Sequence, residues 1–162
     1  MQKVTILIGI PNSGKSTYAK KLANKNTAIL DCDYIRMMLT GKEDKHDAFV
    51  KENEFFVWSA FNDILNNLIE SNMDIIISNT NLNLFLLKDM VDKFLFVENY
   101  KIEFVDIETP VDVCIERLNG KNQQMIEVIK RMKENKEQIV NWIFENKYNY
   151  KIIETESDLV CN

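Results

Sequence analysis

Of 162 residues, only two are proline, four glycine, three cysteine and one histidine. The prolines, Pro11 and Pro110, and the few glycines form no linker, and no repeat or low-complexity tract interrupts the chain. A single domain over residues 1–162 is therefore expected, long enough to bury roughly two-thirds of its unfolded surface. Cys32, Cys114 and Cys161 are odd in number and lack metal-ligand spacing, which fits a reduced, cytoplasmic compartment. No apolar run is long enough to span a bilayer, and nothing resembles the cleavage region of a signal peptide. Positive charge is short as well: 20 Lys and Arg against 25 Asp and Glu leave a net charge of −5. That excludes a protein coating nucleic acid through a broad basic surface, but not one gripping an end in a small basic cleft.

What is present begins with Gly9-Ile-Pro-Asn-Ser-Gly14-Lys15-Ser16-Thr17, directly after the apolar run of residues 4–10. This is G-x-x-x-x-G-K-S-T, the P-loop pattern, placed between a buried strand and a helix start. Successive backbone N–H groups of such a loop point inward as an anion nest, and the following helix adds its positive N-terminal end. Lys15 reaches the β- and γ-phosphates of a nucleoside triphosphate, and the Ser16 hydroxyl can ligate Mg²⁺. Gly9, Pro11, Asn12, Ser13, Gly14, Lys15, Ser16 and Thr17 are the candidate ATP-binding residues.

Strands and helices alternate along the chain. Strands are expected over residues 4–10, 27–30, 74–78, 101–107 and around 150–154. Helices are expected over about 15–24, 34–39, 53–70, from Asn83 onward, from Thr109-Pro110 to Gly120, and over about 125–137. In the longest helix Val57, Trp58, Phe61, Ile64, Leu65 and Leu68 recur on one face, so its aromatics read as core. Asn83 is an N-cap candidate, as is Thr109 with Pro110 at the first helical position. The implied fold class is α/β, a four- to five-stranded parallel sheet flanked by helices with right-handed crossovers. Ligands of such sheets sit at the carboxyl ends of the strands. The P-loop, Asp31-Cys32-Asp33 and Ser78-Asn79-Thr80-Asn81 should therefore face one cleft.

A P-loop alone leaves the fate of the γ-phosphate open. Asn146-Lys147-Tyr148-Asn149 lacks the aspartate of an N-K-x-D base-recognition motif, which disfavours GTPases. Size disfavours motors and helicases, and no clear carboxylate closes a long apolar strand. Small kinases remain. A kinase acting on a hydroxyl needs a carboxylate within reach of it and donors that fix the acceptor. Asp33 and Arg36, three apart, share one face of a helical turn, so Asp33 can take the proton while Arg36 clamps a phosphate. His46 reads as an exposed loop residue within the polar segment 41–47, and Lys130, Arg131 and Lys133 as a solvated helix face.

The P-loop, an Asp-x-x-Arg after strand two, a strand ending in Ser-x-Thr-Asn, and a basic segment after the V-x-V-C-I-E-R helix together resemble the kinase domain of phage 5′-polynucleotide kinases. The resemblance covers about residues 4–133. It implies an adenylate-kinase-like P-loop kinase fold with a small basic lid near residues 117–125, transferring the γ-phosphate of ATP, with Mg²⁺, to the 5′-OH end of DNA or RNA. By motif, Asp33 is the general base, Arg36 holds the 3′-phosphate of the terminal nucleotide, and Asn79, Thr80 and Asn81 join the substrate-binding set. Arg117 and Lys121 fall to the lid, contacting donor phosphates. This chain departs from the family in carrying Asn79 where Ser-Asp-Thr-Asn is usual, and Lys121 where an arginine is usual; lysine lacks the planar fork. No D-x-D-G-T phosphatase motif is present, so a separate phosphatase, and a ligase, are the expected partners in end repair. Two rivals remain: a kinase of a small hydroxyl acceptor (nucleoside, sugar acid or antibiotic) using the same Asp33 base, and a non-catalytic ATP-sensing module that binds ATP without depending on Asp33.

Overall fold

A computed structural model describes residues 1–97, 99–118 and 123–155. Five strands, β1 (Gln2–Ile8), β2 (Thr27–Leu30), β3 (Asp74–Ile77), β4 (Tyr100–Glu108) and β5 (Asn149–Glu154), alternate with helices α1 (Lys15–Leu22), α2 (Cys32–Thr40), α3 (Glu54–Glu70), α4 (Leu84–Val97), α5 (Val111–Glu116) and α6 (Gln123–Glu145). The strands form one sheet in the order β2-β3-β1-β4-β5, every neighbouring pair parallel. The central β1 pairs Val4 with Ile75 on one side and with Ile102 on the other.

Alternation along β1 decides what each face covers. Val4, Ile6 and Ile8 meet Val57, Phe61 and Leu65 of α3, Leu87, Val91 and Phe94 of α4, and Ile129, Ile139 and Ile143 of α6. Leu7, with Ile76, Val105 and Ile107, packs against Ala19 of α1 on the other face. Each such fully buried side chain contributes roughly 1.5–3 kcal/mol of transfer free energy.

Several boundaries differ from the sequence reading, each for a local reason. β1 stops at Ile8, because Gly9 turns the chain; Ile10 stays buried within the loop. α1 ends at Leu22, two residues early. α2 starts at Cys32, because Asp31 is its N-cap and accepts the Asp33 N–H at 2.9 Å. The apolar face of α3 runs Val57, Phe61, Leu65, Ile69, and Ile64 is exposed. Asn83 does cap α4, its Oδ1 accepting the Leu86 N–H at 3.2 Å. Thr109 is not the cap of α5: its hydroxyl donates instead to the Ser13 carbonyl at 2.7 Å, tying the end of β4 to the P-loop. α5 closes at Glu116, four residues short of Gly120. α6 runs on to Glu145 because Ile139 and Ile143 continue its buried stripe.

Candidate active site

The P-loop occupies the turn between β1 and α1, and its glycines are dictated by space and backbone. A Cβ on Gly9 would lie 2.6 Å from Ser13 Oγ and 2.9 Å from the Ile107 carbonyl, which is backbone and cannot yield. Gly14, at φ +97°, N-caps α1 in a conformation that L side chains rarely adopt. The first turn of α1 carries no acidic residue, so its positive end is left for an anion. Lys15 curls into the loop, its Nζ donating to the Gly9 carbonyl at 2.9 Å and the Ile10 carbonyl at 2.8 Å. Burial, and then the positive charge of Lys45, push its ammonium down to about 8, against the pull of Asp31 and Asp33.

A pH dependence follows from that value. Triphosphate oxygens bind the protonated amine and hold it protonated, so binding above the free-state value must also supply a proton. ATP affinity measured by calorimetry is expected to be flat between about pH 7 and 8, then to weaken by up to about tenfold per pH unit. Affinity that stays constant to about pH 10 would exclude Lys15 from the phosphate site.

Ser16 sits at the meeting point of three strand ends. Its hydroxyl donates to Asp31 Oδ2 at 3.2 Å and accepts from Ser78 Oγ at 3.5 Å. Asp31 is 5% exposed, and burial followed by the neighbouring Asp33 charge raises its carboxyl above the usual range, opposed by hydrogen bonds from Asp33 N, Ser78 and Ser16. No group of three or more His, Cys, Asp or Glu could hold a metal among the described residues. One hydroxyl and one carboxylate beside a phosphate cradle nevertheless suit Mg²⁺, which takes few protein ligands and completes its octahedron with water and phosphate oxygens. The sequence reading looked for a carboxylate closing a long apolar strand and did not single out Asp31; β2 is four residues long, and its position at the strand end was the available signal.

Asp33 and Arg36 meet as the i, i+3 spacing requires: Arg36 Nη1 lies 2.7 Å from Asp33 Oδ1. The rest of the guanidinium is engaged by a residue that sequence reasoning missed. Glu54, at the start of α3, receives Nε and Nη2 of Arg36, each at 2.8 Å, in a bidentate pair. Burial works against the Arg36 charge, but the hydrogen bonds and charge of Glu54, with Asp33, outweigh it and raise its pKa. The guanidinium also lies 5.5 Å from the centroid of the Phe49 ring. Glu54 therefore holds Arg36 in place, and Glu54→Ala is expected to raise the acceptor KM by about tenfold while leaving the ATP KM unchanged. Steady-state kinetics varying each substrate in turn checks it; an unmoved acceptor KM would make the pair a surface ornament.

The strand-three cluster divides its tasks. Asn79 Oδ1 accepts the Cys32 N–H at 2.8 Å, while its Nδ2 is buried without a partner among the described residues. Thr80 accepts the Gly9 N–H through its carbonyl. Asn81, at φ +53°, donates its amide to the Leu7 carbonyl at 2.6 Å and to the Asn79 carbonyl at 3.2 Å. The Asn81 side chain thus braces the turn, and the residue also lines the cleft. Arg117 Nη1 donates to the Asn12 carbonyl at 2.8 Å, and its Nη2 is buried without a partner among the described residues. Lys121 lies outside the described residues, as does the lid segment 119–122.

These groups line one cleft of about 1000 Å³. Pro11, Asn12, Gly14, Lys15, Ser16, Thr17 and Arg117 line it together with Asp31, Asp33, Arg36, Asn79, Thr80 and Asn81. His46 departs from expectation: it is half-buried and lines the cleft, together with Lys45 and Phe49. Arg131 also reaches the cleft, whereas Lys130 and Lys133 pair with Glu127 and Glu108 outside it. Burial drives the Cys32 thiol up to about 12 and raises that of Cys114, so neither is a nucleophile.

A five-stranded parallel sheet with a P-loop after its central strand, and polar clusters at the ends of β2 and β3, defines the P-loop kinase fold, and with it nucleotide binding. The chain belongs to the AAA domain family, which matches residues 4–139. It resembles the kinase domain of polynucleotide kinases. It is 27% identical to a chain of the Pnkp1/Rnl/Hen1 complex, with TM-score 0.59, over 76% of this chain and 41% of that one. To a chain of the Pnkp1/Rnl/Hen1 RNA repair complex it is 26% identical, with TM-score 0.66, over 85% of this chain and 46% of that one. The chain thus spans less than half the length of these relatives. Shikimate kinase from Acinetobacter baumannii, in complex with shikimate, shares the fold at 16% identity and TM-score 0.59, over 96% of this chain and 84% of that one. No curated protein sequence matches. Among the described residues no helix is long and apolar enough to cross a membrane.

Proposed function

We propose that the protein is an ATP-dependent polynucleotide 5′-hydroxyl kinase. The observation that carries this reading is the Asp33–Arg36 pair, which lines one cleft with Lys15. Arg36 fixes Asp33 Oδ1, leaving Oδ2 to accept the hydrogen of the 5′-hydroxyl. The hydroxyl oxygen attacks the γ-phosphorus in line, the bond from that phosphorus to the β-bridging oxygen breaks, and ADP departs. Lys15, Arg117 and Lys121 neutralise charge on the transferring group, and Arg36 faces the phosphate on the 3′ side of the reacting nucleotide. Ser16 and Asp31 would hold Mg²⁺, which supplies further charge neutralisation at the phosphates. Asn79, through its Nδ2, and Thr80 line the path of the acceptor.

The acceptor side of the cleft favours a nucleotide over a polyol. Phe49, Trp58, Leu86 and Met90 form an apolar and aromatic wall beside Arg36, which suits a flat base joined to an anion. The RNA repair assembly of the relatives supports the same reading, and an end-repair pathway would supply separate phosphatase and ligase partners. Incubation with ATP, Mg²⁺ and a 5′-OH oligonucleotide should yield a 5′-phosphorylated product, and a nucleoside 3′-monophosphate should outperform the bare nucleoside. Transfer to nucleosides or sugar acids alone, with oligonucleotides ignored, would return the protein to the small-molecule kinases; ATP binding without any transfer would make it a sensor.

A further inference from the structure

Lys45 is a cation of the cleft that neither motif nor resemblance singled out. It lies between α2 and α3, half-buried, and lines the same cavity as Lys15, Asp33 and Arg117. Among the described residues it has no ion-pair or hydrogen-bond partner. Its neighbour Asp44 turns its carboxylate to the His46 backbone N–H at 2.8 Å. Lys45 is close enough for its charge to act on Lys15, which also faces Asp31, Asp33 and Cys114. Two ammonium groups converging on one cleft repel one another until an anion lies between them. The buried Nη2 of Arg117 is a third donor without an acceptor among the described residues.

We propose that Lys45 is a further catalytic residue, meeting the transferring phosphoryl group from the acceptor side, opposite Lys15. The inference rests on the kinase reading above. In phosphoryl transfer, charge is spread over the equatorial oxygens of a group in flight between two oxygens. Lys15 belongs to the P-loop and serves the donor end throughout. Lys45 follows α2, the helix that carries Asp33 and Arg36, so on this reading its contact strengthens as the group leaves the β-phosphate. Interactions that grow toward the transition state raise turnover more than they tighten ATP. Lys45 moves no proton; Asp33 receives the one released by the hydroxyl.

The test compares Lys45→Ala, Lys45→Arg and the exposed neighbour Lys42→Ala with the wild type. Lys45→Ala should lower kcat for a 5′-OH oligonucleotide by about 10–100-fold with the ATP KM changed less than about threefold, Lys45→Arg should restore most of it, and Lys42→Ala should change nothing. A second readout needs no acceptor. Aluminium fluoride with Mg²⁺ and ADP mimics the transferring group, and it should tighten ADP binding to the wild type but far less to Lys45→Ala. Unchanged kcat, or equal tightening in both proteins, overturns the proposal. Should the wild type phosphorylate no polynucleotide, the polynucleotide reading falls, and the fluoride comparison still decides the place of Lys45.

Discussion

Asp33→Ala is expected to lower transfer to a 5′-OH end by about 10²–10⁴-fold, the usual contribution of a positioned general base. The neighbourhood makes this an unusually clean substitution. Arg36 does not depend on Asp33 alone, because Glu54 grips its other edge at two points. Truncating Asp33 therefore leaves the guanidinium in place, and the loss reports on the missing proton acceptor rather than on a collapsed wall. Asp33→Asn tightens the argument: it keeps an oxygen for Arg36 Nη1 but cannot take the hydroxyl proton, so it should be nearly as impaired as the alanine variant. ATP affinity should stay within about twofold in both, since Lys15 and the P-loop amides are untouched. Rates measured with saturating ATP and a labelled γ-phosphate provide the comparison. An asparagine variant retaining more than about a tenth of wild-type turnover would remove Asp33 from the proton transfer.

What the sequence disclosed here was whatever physics keeps local. The strand–turn–helix context of residues 9–17, the period of α3, and the three-residue spacing of Asp33 and Arg36 are all settled within a turn or two of chain, and the sheet reproduces the expected alternation. The missing parts are long-range. Glu54 lies 18 residues from Arg36 with no motif to announce it. Thr109 resembled a helix cap because caps are local, but it is recruited across 96 residues by the Ser13 carbonyl. Asp31 was hidden by the shortness of β2, and Lys45 by a polar segment that read as surface. In each case the deciding partner is brought in by the sheet order. Lys121, a lid residue drawn from the resemblance, lies outside the described residues.

The largest stability effect is expected at Lys136, far from the chemistry. Asp106, near the end of β4, is 0% exposed, with Lys136 Nζ 2.7 Å from its Oδ2 and the Tyr150 hydroxyl donating to the same oxygen at 2.7 Å. Oδ1 has no partner among the described residues. Burial, then the Asp106 hydrogen bond and charge, hold the Tyr150 phenol well above its ordinary pKa, so it remains a donor. Such a carboxylate tolerates burial only while its counter-ion stays. Lys136→Met should therefore destabilise the fold by roughly 3–5 kcal/mol, the usual penalty for stranding a buried charge. Asp106→Leu combined with Lys136→Met should recover most of that loss, because replacing both partners by apolar groups removes the desolvation penalty as well as the attraction. Urea midpoints at constant slope would measure both variants, and a single mutant within about 1 kcal/mol of the wild type would show that water reaches the site. The pair also bears on the cleft. α6 carries Lys136 on one turn and Arg131, Val128 and Met125 on those before it, all three lining the cavity. Loosening α6 from β4 and β5 should therefore raise the acceptor KM in Lys136→Met even at temperatures where the protein stays folded.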